Sequence, residues 1–137
     1  MNPRIVTKVL RTLMATAGLT MLFAFPGCGP RQPTAGAVDP DEARRTLEAV
    51  LSDWKEGGSP EAWQQRTPQV VVQDFDWAAG AKLKSFELLG PGDIRDANLI
   101  CKVKIVAVQA PKGEVQRTVT YVVGTDPVLT VFRDSLQ

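Results

Sequence analysis

The alternating segment over residues 99–108 constrains the fold more than any other part of this sequence. Its odd positions are apolar, and Lys102 and Lys104 stand between them. The apolar members are Leu99, Cys101, Val103, Ile105 and Ala107. Side chains at every second position lie on one face of an extended strand, so this pattern predicts a half-buried antiparallel strand. Such a strand needs a sheet with one apolar face and another element that covers it.

An amphipathic helix over residues 40–56 is the predicted cover. Asp39 can cap its first turn, Pro40 suits the first helical position, and Glu42 stands where a capping box places its acid. Gly57 and Gly58 predict its end. The apolar stripe consists of Ala43, Leu47, Val50, Leu51 and Trp54.

The remaining elements of the predicted domain follow in chain order. A short helix begins at Ser59, carries Trp63 and ends before Pro68, because the residue before a proline disfavours helix. Strands are predicted over 70–75, 83–89, 114–124 and 128–133, with a helical turn capped by Asp76 over 76–80 and a loop over 90–98. The sequence therefore predicts an α+β domain over 40–134, with one long and one short helix packed on a curved antiparallel sheet of about five strands.

The N-terminus has the pattern of an export signal. Residues 1–12 carry Arg4, Lys8 and Arg11 without an acid, and residues 13–25 carry no charge. Pro26 and Gly27 stop the apolar run short of the ~20 residues that a spanning helix needs. We therefore expect residues 1–27 to form a signal helix that is removed. Residues 28–39, which are rich in Pro and Gly, are expected to form a flexible, disordered tether.

At residues 25–28, Phe-Pro-Gly-Cys, the chain resembles bacterial lipoprotein precursors. Gly27 and Cys28 match their processing motif, whereas Phe25 and Pro26 depart from its usual aliphatic and small residues. The resemblance implies cleavage before Cys28 and lipid attachment to it, with the outer membrane favoured because Gly29 is not the retention Asp. An ordinary secretory signal cut near Gly27, or an uncleaved anchor, remains open.

Composition excludes several classes of chemistry. The chain has no histidine, which removes Ser-His-Asp and Cys-His catalysis within it. Its 16 Lys and Arg against 15 Asp and Glu give no basic footprint for nucleic acid. If Cys28 is lipidated, Cys101 has no partner, and its place on the apolar face predicts a buried, structural thiol. We predict no cofactor and no metal.

The order of elements resembles the cystatin-like and nuclear-transport-factor-2-like (NTF2-like) rolls, in which helices precede a bent sheet. Among those proteins, ketosteroid isomerase and the polyketide cyclases use an Asp base or an Asp–His pair, with Tyr donors inside the cone. This chain has one tyrosine, Tyr121. The domain also resembles small uncharacterised bacterial lipoproteins, which imply no activity.

The candidate ligand-binding residues are few, and none is assigned a catalytic role. Asp74 is expected to face solvent while Asp76 caps the following turn. Arg117 and Arg133 interrupt apolar faces, and each either reaches the sheet edge, pairs with Asp74, Asp76 or Glu87, or buries only its stem and keeps its charged head in water. The tyrosine is expected in the core with its hydroxyl at the rim. Tryptophans are expected to close the core or to line a ligand mouth. The candidates are Trp54, Trp77, Tyr121, Asp74 and Arg117.

The sequence thus favours a lipoprotein anchored through Cys28 on the periplasmic or outer side of a membrane. We expect a non-catalytic binding or structural module of the cell envelope, with an envelope protein as its partner and no nucleic acid. The alternative is a small-molecule-binding or isomerase/cyclase-like domain that uses a cavity between helix and sheet. Filling of that space by Leu47, Leu51, Val103 and Val119 would count against the alternative.

Overall fold

The computed structural model describes residues 36–136. The predicted signal helix, Cys28 and most of the predicted tether lie outside these residues. The described chain is α+β, as predicted. Its helices are α1 (Pro40–Lys55), a 3₁₀ helix (Pro60–Gln65) and α2 (Phe75–Ala78), and its strands are β1 (Val70–Gln73), β2 (Lys82–Arg95), β3 (Asn98–Gln109), β4 (Gly113–Gly124) and β5 (Leu129–Arg133).

Helix α1 begins where the sequence predicts, but its cap differs in detail. The Asp39 carboxylate accepts hydrogen bonds from the backbone N–H groups of Asp41 and Glu42, both at 3.0 Å. In a capping box, the Glu42 side chain would accept a hydrogen bond from the backbone N–H of Asp39. Here that N–H donates instead to Thr125 Oγ1, in the turn before β5, at 3.0 Å. The first turn of α1 is therefore tied to the sheet.

The residues just before α1 belong to the folded domain. Val38 is buried, and the backbone N–H of Gly36 donates to the Asp126 carboxylate at 2.6 Å. The predicted tether, 28–39, is therefore wrong at its end, because residues 36–39 pack and hydrogen-bond as part of the domain.

The sheet is open and mixed, with strand order β1-β5-β4-β3-β2. Strands β2 to β5 form the predicted antiparallel meander, but β1 pairs in parallel with β5, from Val70 opposite Leu129 to Gln73 opposite Phe132. The prediction of a wholly antiparallel sheet is wrong at this edge. Side-chain alternation specifies which face of a strand is buried, and it does not specify the neighbouring strand or its direction.

The predicted loop over 90–98 is instead the continuation of a long hairpin. Strand β2 runs to Arg95, and a register shift between Leu89 and Asp93 absorbs the extra residues. Gly92 has a φ of +89°, and an added Cβ would lie 3.2 Å from the sulfur of Cys101. Glycine permits both the positive φ and this close approach, so a glycine-rich segment forms a bulge within a strand.

The core lies between α1 and the sheet. Leu47, Leu51 and Val103 are almost completely buried, and Val119, which is also buried, belongs to the same hydrophobic core. Each such side chain contributes about 1.5–3 kcal/mol through removal from water. Within residues 36–136, no helix is long and apolar enough to cross a membrane.

Candidate functional site

Short helix α2 and its cap connect the two groups of candidate residues. Asp74 and Asp76 contact Tyr121 and the arginines, and Trp77 stacks on Trp54. The N-cap of α2 is Asp74, whose Oδ1 accepts from the backbone N–H groups of Asp76 at 2.9 Å and Trp77 at 3.0 Å. The prediction that Asp76 caps this helical turn is wrong, because the helix begins earlier and Asp74 is its cap. The prediction that Asp74 faces solvent is also wrong, because the residue is only 4% exposed. The cap therefore holds the backbone of Asp76 and Trp77 in the first turn of α2.

The second oxygen of Asp74 binds the tyrosine. The Tyr121 hydroxyl donates to Asp74 Oδ2 at 2.5 Å, and Tyr121 is 1% exposed. The predicted position of the hydroxyl at the rim is therefore wrong. Burial, together with the adjacent Asp74 carboxylate, raises the pKa of Tyr121, so its hydroxyl remains a proton donor.

Asp76 collects the positive charges of the site. Its Oδ2 accepts from both Arg117 and Arg133, and its Oδ1 accepts from Gln109 Nε2 at 3.1 Å. Arg133 also approaches Asp74 Oδ1 at 3.4 Å. We call Asp74, Asp76, Arg117 and Arg133 the Asp–Arg cluster.

The cluster carries equal and opposite charge. Burial alone would raise the pKa of Asp76, but hydrogen bonds from Arg133 and Arg117 outweigh it and lower that pKa. Burial alone would lower the pKa of Arg133, but the neighbouring Asp74 and Asp76 outweigh it and raise that pKa. Asp76 and Arg133 are consequently both charged at neutral pH. Asp76 is thus a hydrogen-bond acceptor and a poor general base.

Strand register explains why residues distant in sequence meet here. The parallel pairing of Gln73 with Phe132 brings the next residues, Asp74 and Arg133, side by side. Tyr121 of β4 lies opposite Arg133 of β5 in the antiparallel pair. The sheet thus brings together the phenol of β4, the guanidinium of β5 and the carboxylate of the residue that directly follows β1.

Arg117 is the solvent-facing member of the cluster. Its side chain is 38% exposed, whereas that of Arg133 is 10% exposed. Of the alternatives that the sequence leaves open for the two arginines, the structure shows pairing, and both pair with Asp76. Arg133 follows the buried Leu129 and Val131 at every second position of β5, so the alternation of this strand marks it. Gln109, at the end of β3, gives no such signal.

The other group of candidates is aromatic. The Trp54 and Trp77 rings stack with centroids 5.5 Å apart and planes 14° apart. Trp54 Nε1 donates to the carbonyl of Ala81 at 2.8 Å, and Trp77 Nε1 donates to the carbonyl of Gly58 at 2.9 Å. Both rings are buried, and both line one side of an open groove without standing out as an aromatic mouth.

That groove has a volume of about 470 Å³ and lies at the C-terminal end of α1. We call it the Gly57–Gly58 groove; its lining includes Lys55, Gly57, Gly58, Pro60 and Lys82. The loop that forms it is braced by Asp53, whose carboxylate accepts from Trp63 Nε1 at 3.0 Å and Arg66 Nη2 at 2.8 Å. Arg66 also lies 3.9 Å above the centre of the Trp63 ring, as a cation–π pair.

The structure therefore sorts the candidates into two places. Asp74, Tyr121 and Arg117 come together in or beside the Asp–Arg cluster, and Trp54 and Trp77 come together under the Gly57–Gly58 groove. Cys101 is buried, as predicted, and lies opposite Tyr121 in the β3–β4 pair. Among residues 36–136, no group of three or more His, Cys, Asp or Glu side chains is placed to hold a metal ion.

Comparison with protein-family models, with curated proteins and with solved structures finds no match to this chain.

Proposed function

We propose that the protein is an exported lipoprotein, held at the membrane by a lipid on Cys28, whose folded domain is a non-catalytic binding module of the cell envelope. The anchor is supported by the basic and then apolar N-terminus, which ends at Gly27-Cys28. The outer membrane is the favoured location, because Gly29 follows Cys28.

One observation carries the proposal of a binding module: the charged side chains inside the domain are directed at one another. Asp74 and Asp76 are occupied by Arg117, Arg133, Tyr121 and backbone N–H groups. Throughout residues 36–136, every buried side-chain nitrogen and oxygen has a hydrogen-bond partner. An interior in which charges neutralise each other holds a fold together, and it leaves recognition to the surface.

The Gly57–Gly58 groove is the surface that we propose for binding. It combines a concave shape, charged side chains of both signs (Lys55, Lys82, Glu56 and Glu61) and two stacked, buried tryptophans in its lining. A lining that is already packed limits the conformational entropy lost when a partner binds.

The enzyme-like alternative is supported less well. It needs a cavity between α1 and the sheet, but Leu47, Leu51, Val103 and Val119 occupy that layer. We also propose the finer assignment to a cystatin-like or NTF2-like roll, supported by two helices before the first strand and by the meander from β2 to β5.

Two experiments test this proposal. In cell fractionation, the wild-type protein should sediment with membranes, and Cys28→Ser should move to the soluble fraction. If Cys28→Ser stays with membranes, the lipid anchor is wrong.

The second experiment addresses the groove. The mature domain is immobilised and exposed to an envelope extract, next to a variant with Lys55→Glu and Lys82→Glu and a control with Lys102→Glu and Lys112→Glu. All four lysines are exposed, so the two variants match in charge and differ in position. Components that the wild type and the control retain, and the groove variant loses, support the proposal; equal retention by all three contradicts the assignment of the groove.

A further inference from the structure

We propose that two copies of this chain pair through the sheet face that points away from α1, across a two-fold axis that runs along β4. We call this surface the outer face; it consists of the outward positions of β1 to β5. Such pairing requires neither the lipid on Cys28 nor the Gly57–Gly58 groove.

The outer face is open along most of its length. Cys101, Val103 and Ile105 of β3 are buried in the core beneath α1, so the residues between them point to the other side of the sheet. Among residues 36–136, most outward strand positions are half-buried or exposed, as at Lys102 and Thr118. This side of the sheet is therefore free to receive a partner.

An apolar row crosses the middle of the outer face. Val122 of β4 lies opposite Phe132 of β5 on one side and opposite Ile100 of β3 on the other, and all three are half-buried. Because β4 is the middle strand of the order β1-β5-β4-β3-β2, the row is centred on the sheet. Two sheets that pack face to face keep their strands within about 30° of each other. A two-fold axis along β4 at Val122 then places Phe132 of each copy over Ile100 of the other.

The next row carries opposite charges on the two sides of β4. The backbone N–H of Asp134 donates to the carbonyl of Thr120 at 2.9 Å, which continues the β4–β5 register, and Lys102 pairs with Thr120 from the other side. Asp134 follows the inward Arg133 and so points outward. Its Oδ1 accepts from the backbone N–H of Leu136 at 2.9 Å, and its Oδ2 is the atom that we assign to the contact between copies.

The same axis pairs these charges between copies. Within one copy, Asp134 and Lys102 lie two strand spacings apart, about 10 Å, which is too far for an ion pair. Across the axis, Asp134 of each copy lies over Lys102 of the other, so the ion pair forms twice. An interface between identical copies needs a surface that is complementary to itself. The apolar row and the charged row both meet this condition with one axis, which favours a second copy over an unrelated partner.

The area of the outer face suits a stable dimer. Strands β3 and β4 have 12 residues each and are about 40 Å long, and five strands at a spacing of about 4.8 Å make a face about 24 Å wide. Because β1 and β5 are short, the area is on the order of 700 Å², close to the ~800 Å² that each partner contributes to a standard interface.

The test measures the mass of the full chain in solution by sedimentation velocity over a range of protein concentrations. The Cys28→Ser background is used, so that no lipid contributes to association. We expect a dimer in equilibrium with the monomer. Val122→Arg places two like charges together at the axis and should abolish the dimer. Ala49→Arg, at an exposed position of α1 on the other side of the sheet, is the matched control and should retain it.

Charge reversal tests the axis itself. Lys102→Asp faces Asp134 of the second copy, and Asp134→Lys faces its Lys102, so each change alone should raise the dimer dissociation constant about tenfold or more. The two changes combined restore opposite charges and should return the constant close to its original value. Near-ultraviolet circular dichroism checks that each variant is folded, and if Val122→Arg does not fold, the charge exchange decides alone. A monomer at every concentration, a dimer that persists in folded Val122→Arg, or no recovery in the combined variant overturns the proposal.

Discussion

The Tyr121 hydroxyl donates a hydrogen bond to Oδ2 of Asp74 at 2.5 Å, joining β4 to the cap of α2 across 47 positions of the chain. The other oxygen of the same carboxylate holds the first turn of α2. One buried carboxylate therefore couples a local cap to the pairing of distant strands. This coupling allows the importance of the Asp–Arg cluster for stability to be measured one bond at a time.

Tyr121→Phe removes the donor and leaves Asp74 Oδ2 without it. We expect the free energy of unfolding to fall by about 1–3 kcal/mol, because a buried acceptor loses its partner. Urea denaturation measures the change. In a double-mutant cycle with Asp74→Asn, which retains a capping side chain, the two losses should be non-additive. Strict additivity would mean that this hydrogen bond does not couple the two residues.

Asp76→Asn should be more costly, because it leaves Arg133 with a weaker counter-charge in a buried position. Breaking one side of a buried ion pair typically costs about 3–5 kcal/mol. Asp93→Asn is the matched control, since its pair with Arg95 is exposed on both sides and should cost about 0–1 kcal/mol. Equal losses in urea denaturation would show that the cluster does not differ from a surface pair.

The Asp–Arg cluster should also make stability depend on acidity. The pKa of Asp76 in the folded protein lies below its ordinary value of 3.8. The unfolded chain therefore takes up a proton first as the pH falls, so the stabilisation is complete above pH 3.8 and is lost as the pH falls from there through the lower folded value. Unfolding free energies between neutral pH and the acid range should fall more steeply for the wild type than for Asp76→Asn. Parallel curves for the two proteins would contradict this assignment.

Gly58→Ala tests the brace of the groove. A Cβ at this position would lie 2.2 Å from Oδ2 of Asp53, which must then move away from Trp63 and Arg66. We expect a loss of about 1–3 kcal/mol on thermal or urea unfolding, as for other lost hydrogen bonds to a charged group. In an Asp53→Ala background the obstructing side chain is absent, so the same substitution should cost less. If Gly58→Ala lowers the free energy of unfolding by the same amount in that background, contact with the Asp53 side chain is not the cause of the loss.

Cys101 should behave as a buried hydrophobic residue. It is 2% exposed, and burial raises the pKa of its thiol, so little reactive thiolate is present. In the Cys28→Ser protein, a thiol reagent should label Cys101 slowly under native conditions and rapidly in denaturant. Rapid native labelling would show that this part of the sheet opens readily.

The elements that the sequence predicts well are those with a local signal. The cap at Asp39, the glycine stop after α1 and the alternation of β3 each depend on residues within a few positions of one another. The confirmed α+β class follows from these signals, because an amphipathic helix and a half-buried sheet must cover each other.

The errors arise where the deciding partner is distant in sequence. The burial of Asp74 depends on Tyr121 and Arg133, which bind its carboxylate, and the parallel edge strand depends on the pairing of β1 with the distant β5. The bulge at Gly92 depends on the approach of Cys101 from the next strand. A one-dimensional pattern contains the residue types at these places, but it does not contain the register that brings them together.

Mass spectrometry of the N-terminus tests the central claim most directly. Trypsin cleaves after Arg11 and Arg31, so the processed protein should yield a first peptide that begins at Cys28, ends at Arg31 and carries the added mass of a lipid on Cys28. Recovery of the uncut peptide over residues 12–31, or of an N-terminal Cys28 without lipid, would contradict the account.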